Sequence, residues 1–372
     1  MPSHRSKARA PTATTAPIDL ALQGGGSHGA FTWGVLDRML EDEGLPIAGV
    51  SGTSAGALNA AVLATGLTEG GREGARRALA AFWHDVACSG GCFGSLTPQG
   101  ATANPWLAPW AAMAPPGWSE LWTGTAQAWQ QAFASALTST WSPYQYNPLG
   151  LNPLRDLLAR HVREDALRRA PVKLFITATA VRTGQPRVFH RHELTLDALL
   201  ASACLPQLFK AVMIPGPDGG APQPYWDGGY SGNPALWPLI YETEALDLLL
   251  VRINPLVHTD LPDTALEIED RLNEITFNEV LIGELRAIHF VQKLVEGGSV
   301  GGGYKNLRLH MVGDDEHLGP LPASSKLSTD AAQIQRLFGW GRAAADDWLA
   351  RNRGAIGVAG TVDIYREFLE PR

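Results

Sequence analysis

Two glycine-rich turns, each lying between a short apolar run and a helical stretch, constrain the fold of this chain most. The apolar run 18–22 meets the glycines at 24–26, and residues 30–41 then carry apolar side chains at helical spacing. A second apolar run, 47–51, meets the segment Gly-Thr-Ser-Ala-Gly at 52–56. Strand, glycine turn and helix, given twice in succession, predict the start of an α/β sheet.

The same alternation returns after residue 148. We expect further strands over 172–178, 187–190, up to 227, over 246–253 and over 307–312, and further helices from 56 to about 64 and over 196–204, 265–296 and 330–350. The run 246–253 is almost continuously apolar, which is typical of a strand buried on both faces. The sequence therefore predicts a three-layer α/β/α fold with a mainly parallel central sheet and a C-terminal helical extension.

Composition excludes several classes of protein. The formal net charge of −7 argues against nucleic-acid binding, which usually needs a basic surplus. Three cysteines, Cys88, Cys92 and Cys204, are too few for a disulfide framework and favour a reducing compartment. Cys88 and Cys92 lack a second pair of ligands, so we expect neither a metal nor another cofactor.

The chain carries no secretory signal pattern near its first residues and no apolar run long enough to span a membrane. We therefore expect a cytoplasmic location, with membrane contact limited to the periphery.

The first glycine turn has two physical uses. Gly24-x-Gly26-x-x-Gly29 fits the dinucleotide-binding fingerprint formally, but the acidic residue that should end the second strand is missing. Backbone amides in a glycine-rich loop before a helix also stabilise an anion, including the oxyanion of an acyl-transfer intermediate. The second use fits the residues better.

The second glycine turn places a serine between a strand and a helix. In Gly52-x-Ser54-x-Gly56, the glycines permit the strained turn that exposes a nucleophilic hydroxyl. The plainer alternative is that Ser54 only caps the following helix.

A serine nucleophile needs a base, and two arrangements compete. His258 and His317 both follow late strands and would suit a Ser/Asp/His triad. Asp227 also follows a strand, and Gly228 and Gly229 after it allow the backbone to turn sharply toward a neighbouring loop. The residues alone leave this choice open.

Taken together, these segments resemble the patatin-like phospholipase family. That family carries a Gly-Gly-Gly-x-Arg/Lys-Gly loop, a Gly-x-Ser-x-Gly turn and an Asp-Gly-Gly or Asp-Gly-Ala motif, in the order found here. A fourth segment, Ala-Ser-Ala-Cys-Leu-Pro at 201–206, is similar to the one that precedes the family's aspartate. The resemblance covers residues 18–253.

The resemblance implies a dyad of Ser54 and Asp227 that works without a histidine. It assigns the oxyanion hole to the loop that contains Gly24, Gly25, Gly26, Ser27, His28 and Gly29. Gly52, Gly56, Gly228 and Gly229 would support the two catalytic turns. The implied activity is hydrolysis of phospholipid or lysophospholipid acyl esters through an acyl-enzyme.

Two other functions remain open. A general carboxylesterase or an intracellular polyester depolymerase would use the same dyad, and a lipid-binding or regulatory module would not use it for catalysis. One departure bears on the substrate, because His28 stands where the family has Arg or Lys. A histidine there would titrate near neutral pH, or would simply pack the start of the helix.

We expect a disordered tail over 1–16, a catalytic domain over 17–255 and a C-terminal extension over 256–372 that packs on it. Within the catalytic domain, residues 88–148 form an insertion with a predicted helix over 119–137. Half of the 12 tryptophans lie in it: Trp106, Trp110, Trp118, Trp122, Trp129 and Trp141. They would either pack a lid over the site or contact lipid. The helix at 265–296 also offers a surface for a homo-oligomer.

Overall fold

The structure is a computed structural model, and it describes residues 16–88, 142–216, 219–257, 261–298 and 303–371. The strands are β1 (Ile18–Leu22), β2 (Ile47–Thr53), β3 (Lys173–Ala180), β4 (Pro186–His190), β5 (Val212–Ile214), β6 (Gln223–Asp227), β7 (Asp247–Val251) and β8 (Arg308–Val312). The larger helices are α1 (Gly29–Leu40), α2 (Ala55–Cys88), α4 (Pro153–His161), α6 (Leu196–Ser202), α8 (Ala265–Glu296) and α10 (Ala331–Asn352). The shorter ones are α3 (Pro143–Tyr146), α5 (Glu164–Arg168), α7 (Trp237–Glu242) and α9 (Asp315–Leu318).

The described strands form one sheet in the order β5-β6-β3-β2-β1-β7-β8, with β4 also paired to β3. Strands β3, β2, β1, β7 and β8 run parallel, whereas β4, β5 and β6 join by antiparallel pairing. The prediction of an α/β fold with a mainly parallel central sheet flanked by helices is confirmed.

Alternate side chains of the central strands enter two separate apolar cores. Leu20 and Leu22 of β1 pack with α1, α2 and α10, whereas Ala21 between them packs with α7 and α8. In β7, Leu250 packs in the same core as Ala21, and Val251 packs in the same core as Leu20 and Leu22. Helices therefore cover both faces of the sheet, as the continuously apolar strands require.

The second helix is longer than the sequence indicates. The predicted end near residue 64 is wrong, because α2 continues to Cys88. Gly70 and Gly71 have non-helical backbone angles and break the helix locally. Helical structure resumes beyond them because Leu79 and Phe82 are fully buried against the core. The two glycines therefore separate a first helical segment, 55–69, from a second, 72–88.

Six further elements carry little sequence signal. Helices α3, α4, α5, α7 and α9 and the three-residue strand β5 were not predicted. Helix α4 is short and starts with a proline, so few residues show its period. The remaining predicted strands and helices match the observed ones to within a few residues at either end.

Some predictions fall outside the described residues. They include the tail up to residue 15, the helix over 119–137 and the cluster of tryptophans in the insertion. The domain boundaries at 17, 255 and 256 stay a prediction. In the part of the chain that the structure describes, no helix combines the length and apolarity needed to cross a bilayer.

The C-terminal residues complete the sheet and its helical cover. Strand β8 pairs with β7 along all five residues of each strand. Helix α10 packs on α1 at backbone distance: a Cβ on Gly34 would lie 2.2 Å from the Phe338 carbonyl oxygen, and one on Gly341 would lie 2.0 Å from that of Phe31. Two glycines therefore set the separation of these helices.

Candidate active site

Ser54 lies in a sharp turn between the end of β2 and the first residue of α2. Its φ of +51° makes it the one residue other than glycine with a positive φ in the described part of the chain. Such a backbone angle costs an L-residue about 1–2 kcal/mol. The Ser54 amide donates to the Ser202 hydroxyl at 3.0 Å, and this contact holds the turn from the side of α6. The predicted strained turn is present.

The glycines at this turn allow backbone to approach backbone. A Cβ on Gly56 would lie 2.1 Å from the Leu22 carbonyl oxygen, so the start of α2 lies directly on the end of β1. A Cβ on Gly52 would lie 2.5 Å from the Gly56 carbonyl oxygen. Only glycine fits either position without moving the turn.

Asp227 is the last residue of β6 and is fully buried. Its amide donates to the Cys204 carbonyl at 2.8 Å, and its carbonyl accepts from the Thr179 hydroxyl at 2.7 Å. Its carboxylate Oδ1 accepts from the Gly229 amide at 2.8 Å. The backbone on both sides of this carboxylate is therefore fixed.

The same turn packs closely on its surroundings. A Cβ on Gly228 would lie 2.0 Å from the Thr177 carbonyl oxygen, and one on Gly229 would lie 2.7 Å from the Phe277 ring. Strand β3 and helix α8 therefore confine the Asp-Gly-Gly turn from two sides.

Burial sets the proton affinity of Asp227. Removal from water raises the pKa of this carboxyl from 3.8 to about 7, against the lowering effects of the Gly229 amide and the Ser54 side chain. Its Oδ2 has no hydrogen-bond partner at ideal geometry among the described residues. A carboxylate faces the serine, is poised near neutral pH and has one oxygen left to accept a proton.

The loop before α1 lies against Ser54. A Cβ on Gly24 would lie 2.7 Å from the Cβ of Ser54. The Gly24 amide donates to the Asn233 side-chain oxygen at 2.6 Å, and the Gly24 carbonyl accepts from the Asn254 amide group at 2.7 Å. The Asn233 Nδ2 also donates to the Gly24 carbonyl at 3.4 Å, so two asparagines together hold the amide and the carbonyl of Gly24.

The amides of the loop differ in what they contact. The His28 amide donates to the Gly25 carbonyl at 3.2 Å, within a turn of 3-10 helix over Gly26–His28 that leads into Gly29. Ser27 and His28 are buried in that turn. The amides of Gly25, Gly26 and Ser27 donate to no acceptor in the described segments. These amides are the donors of the loop that remain for an oxyanion.

His28 is neutral in this structure. Burial, with the nearby charge of Lys326 as a second cause, lowers the pKa of its ring to about 3. Its Nε2 lies 2.7 Å from the Ser325 hydroxyl oxygen. The expectation that His28 titrates near neutral pH is wrong, because burial excludes the charged form; the alternative, that it packs the start of the helix, fits.

The two histidines that competed for the role of base have different outcomes. His258 lies outside the described residues. His317 follows β8, where its Nδ1 lies 2.8 Å from the Asp314 carboxylate and its ring stacks on Trp340 at 4.8 Å. The structure therefore brings Asp227 to Ser54 and places His317 in a surface contact of its own.

Sequence reasoning missed the residues that hold the site together. Ser202 lies in the recognised segment 201–206, but nothing local shows that it bonds to the Ser54 amide. Asn233 follows the Asp-Gly-Gly segment, and Asn254 follows strand β7. Each comes directly before a proline, which is the one local signal available. Lys326 has no signal, because it reaches the site from the C-terminal region.

The described residues contain no group of three His, Cys, Asp or Glu side chains that would hold a metal ion. The absence of a cofactor therefore stays a prediction for the whole chain.

Residues 20–240 match the family described as patatin-like phospholipase, and this range is more than half of the 372 residues. A comparison with curated proteins found no match.

Solved structures were also compared with the chain. It is similar to VipD from Legionella pneumophila, with 14% identity, 96% of this chain and 73% of that chain covered, and a TM-score of 0.33. It is similar to the type III effector ExoU, with 17% identity, coverage of 89% and 54%, and a TM-score of 0.26. It is also similar to the ExoU–SpcU complex from Pseudomonas aeruginosa, with 18% identity, 92% of this chain and 61% of that chain covered, and a TM-score of 0.23.

Proposed function

We propose, from the premise that the chain belongs to the patatin-like phospholipase family, that it hydrolyses lipid acyl esters by a Ser54–Asp227 dyad. The observation that carries this proposal is the pairing of a serine at φ +51° with a fully buried carboxylate whose Oδ2 is unpartnered among the described residues. The substrates proposed are phospholipids or lysophospholipids.

The first half of the reaction forms an acyl-enzyme. The Ser54 Oγ attacks the ester carbonyl carbon while its proton moves to Oδ2 of Asp227. The carbonyl oxygen becomes an oxyanion and accepts hydrogen bonds from the amides of Gly25 and Gly26. When the tetrahedral intermediate collapses, the carbon–oxygen bond to the alcohol breaks and Asp227 returns the proton to the alcohol oxygen.

The second half releases the acid. Asp227 accepts a proton from a water molecule, whose oxygen attacks the acyl carbonyl of the Ser54 ester. The second tetrahedral intermediate breaks its bond to Ser54 Oγ, which takes the proton back from Asp227. A base with a pKa raised to about 7 by burial accepts and returns a proton with little imbalance near neutral pH.

Variant hydrolysis rates test the dyad. We expect Ser54→Ala and Asp227→Asn each to lower the rate of p-nitrophenyl butyrate hydrolysis by at least about 1,000-fold, as removal of a nucleophile or its base does elsewhere. Asp363→Asn is the matched control, since Asp363 is an exposed carboxylate far along the chain from the dyad. Activity of Ser54→Ala equal to the wild type contradicts the proposal.

A second measurement separates the nucleophile from background esterase activity. A fluorophosphonate probe should form a covalent adduct with the wild type, and mass spectrometry should place it on Ser54. Loss of activity in His317→Ala, with Asp227→Asn still active, would replace the dyad by a triad.

Substrate class is decided by comparing vesicles of phosphatidylcholine, lysophospholipid micelles and soluble short-chain esters. Release of fatty acid from the lipids supports the phospholipase assignment. Activity on soluble or polymeric esters alone would assign a carboxylesterase or depolymerase. Lipid binding with no hydrolysis above Ser54→Ala would assign a non-catalytic lipid-binding module.

A further inference from the structure

A turn from the C-terminal region lies on the glycine loop of the proposed site. The 3-10 helix Ala323–Leu327 contacts the loop at two points. A Cβ on Gly26, whose φ is +57°, would lie 2.1 Å from the Lys326 carbonyl oxygen. The Ser325 hydroxyl lies 2.7 Å from His28 Nε2. The main chain of this turn and the loop are therefore packed together.

The side chain of Lys326 joins this turn to the loop by hydrogen bonds. Its ammonium donates to Glu274 Oε1 at 2.8 Å and to Asn254 Oδ1 at 3.0 Å. The Asn254 Nδ2 in turn donates to the Gly24 carbonyl at 2.7 Å. The Lys326 side chain is 18% exposed and that of Glu274 is 7% exposed, so water competes little for these bonds.

The chemistry of lysine fixes which groups donate and which accept along this series of hydrogen bonds. A lysine ammonium can only donate, so the Asn254 group that faces it must be the carbonyl oxygen. The Asn254 NH2 group is thereby turned toward the Gly24 carbonyl. The same NH2 group also donates to Gln23 Oε1 at 3.3 Å, so the ammonium on one side and two oxygen acceptors on the other together fix the orientation of this amide.

Gly24 transmits this orientation to the oxyanion hole. Its carbonyl and the Gly25 N–H belong to one planar trans peptide group and point in opposite directions. Holding the Gly24 carbonyl against Asn254 therefore fixes the direction of the Gly25 N–H. That amide, like those of Gly26 and Ser27, donates to no acceptor within the described residues.

Lys326 also supplies a positive charge that the loop itself lacks. Position 28, where the family's motif has Arg or Lys, holds a histidine that is neutral here. The charged groups around the turn are Lys326, Glu274 and Arg271, whose guanidinium lies 3.4 Å from Glu274 Oε2. Lys326 is the cation of this group that reaches the loop.

We propose that Lys326 is a positioning residue of the oxyanion loop, which supplies from the C-terminal region the fixed cation absent at position 28 and aims the Gly25 amide through Asn254. This inference rests on the proposed hydrolysis. It adds to that reaction a residue about 300 positions away from the loop.

The test is the steady-state kinetics of Lys326→Met, Lys326→Arg and the control Lys293→Met. Lys293 lies on α8 in a surface pair with Glu296, and its side chain is 64% exposed. For Lys326→Met we expect kcat to fall about 10- to 100-fold, less than the loss from removing an oxyanion donor outright. KM should change by less than about threefold, because the oxyanion forms only in the transition state.

Two further readouts distinguish positioning from a structural role. Affinity for a trifluoromethyl ketone, which forms an oxyanion on the enzyme, should fall in parallel with kcat in Lys326→Met, while affinity for a non-reactive ether phospholipid stays unchanged. Lys326→Arg should recover most of kcat. Lys293→Met should match the wild type throughout.

The outcomes separate this inference from the proposed function. A kcat for Lys326→Met within about twofold of the wild type, with Ser54→Ala inactive, overturns the role of Lys326 and leaves the dyad intact. A wild type no more active than Ser54→Ala overturns both.

Should Lys326→Met fail to fold, Asn254→Asp tests the inference instead, since it keeps an acceptor for Lys326 but cannot donate to the Gly24 carbonyl. An unchanged kcat there also overturns the inference.

Discussion

At the scale of single residues, the chemistry depends on what burial does to two ionisable groups. Asp227 and His28 are both buried, and removal from water moves their pKa values in opposite directions, to about 7 and about 3. In both cases burial favours the uncharged form. The result is a proposed base that holds its proton loosely near neutral pH, and a histidine that stays neutral.

The pH dependence of the rate follows from Asp227. In the proposed mechanism only the deprotonated carboxylate accepts the Ser54 proton, so we expect kcat/KM to rise with pH along one limb whose midpoint is near 7. Below the midpoint the rate should fall about tenfold per pH unit. The measurement is a profile from about pH 5 to about pH 9 on a soluble ester. A midpoint at about 4, the ordinary value for aspartate, contradicts the role of burial.

The same pKa predicts a pH-dependent stability. Because the pKa of Asp227 is higher in the folded protein, the folded state binds more protons between about pH 4 and about pH 7, and the free energy of unfolding falls as pH rises through this window. Asp227→Asn has no such proton. We expect its stability relative to the wild type to increase by about 2–3 kcal/mol between about pH 5 and about pH 8.

Urea unfolding of both proteins at the two pH values measures this difference. Burial also raises the pKa of Asp19 and of Glu284 to about 7, but these residues are common to both proteins and their contributions cancel. A stability difference that stays constant with pH would show that Asp227 has the same pKa folded and unfolded.

At the scale of elements, the position of Ser54 depends on how closely α2 lies on β1. Gly56→Ala would place a Cβ 2.1 Å from the Leu22 carbonyl oxygen, which forces the start of the helix away from the strand. We expect the free energy of unfolding to fall by about 1–3 kcal/mol. We also expect kcat to fall about tenfold or more, because a displacement of this kind moves the nucleophile.

Gly283→Ala is the matched control for this change. Gly283 lies inside α8, and a Cβ there would have no described heavy atom within 4 Å. Alanine favours a helix more than glycine does, so stability should be unchanged or higher by up to about 1 kcal/mol. Thermal unfolding and ester hydrolysis measure both variants. Equal behaviour of the two would contradict the importance of this contact.

The elements that carry the proposed catalytic residues could be predicted because their signals are local. Residues 18–22 form a short apolar run. The glycine turns at 24–26 and 52–56 each come just before the start of a helix. The contacts of Asn254 with Gly24 and of Lys326 with Asn254 join residues 230 and 72 positions apart, so no local pattern contains them. His28 shows the same limit, since its neutrality depends on burial by residues far along the chain.

At the scale of the whole molecule, the residues matched to the family do not include all of the sheet that supports the site. The match ends at residue 240, and β7 begins at Asp247. All five residues of β1 pair with β7, and β8 lies beyond it. The strand that precedes the glycine loop therefore depends on a strand from the C-terminal third of the chain.

A chain cut after residue 240 tests this dependence. Loss of β7 would expose one edge of β1, and loss of α8 and α10 would remove part of the helical cover from both of its apolar faces. We expect the truncated chain to be insoluble, or to show no cooperative unfolding transition by circular dichroism. A soluble truncated chain with a sharp transition would contradict this, and would show that the matched residues fold without β7.

The backbone contact between α1 and α10 has a consequence for mechanical tolerance. Where side chains set the distance between two helices, a change of rotamer absorbs a small misfit; here Gly34 and Gly341 place main-chain atoms in contact, and main chain has no such freedom. Helix α10 starts at Ala331, a few residues after the turn that contains Lys326. The contact of α10 with α1 therefore limits where that turn can lie, and the alignment of the proposed oxyanion loop depends on the two glycines between these helices.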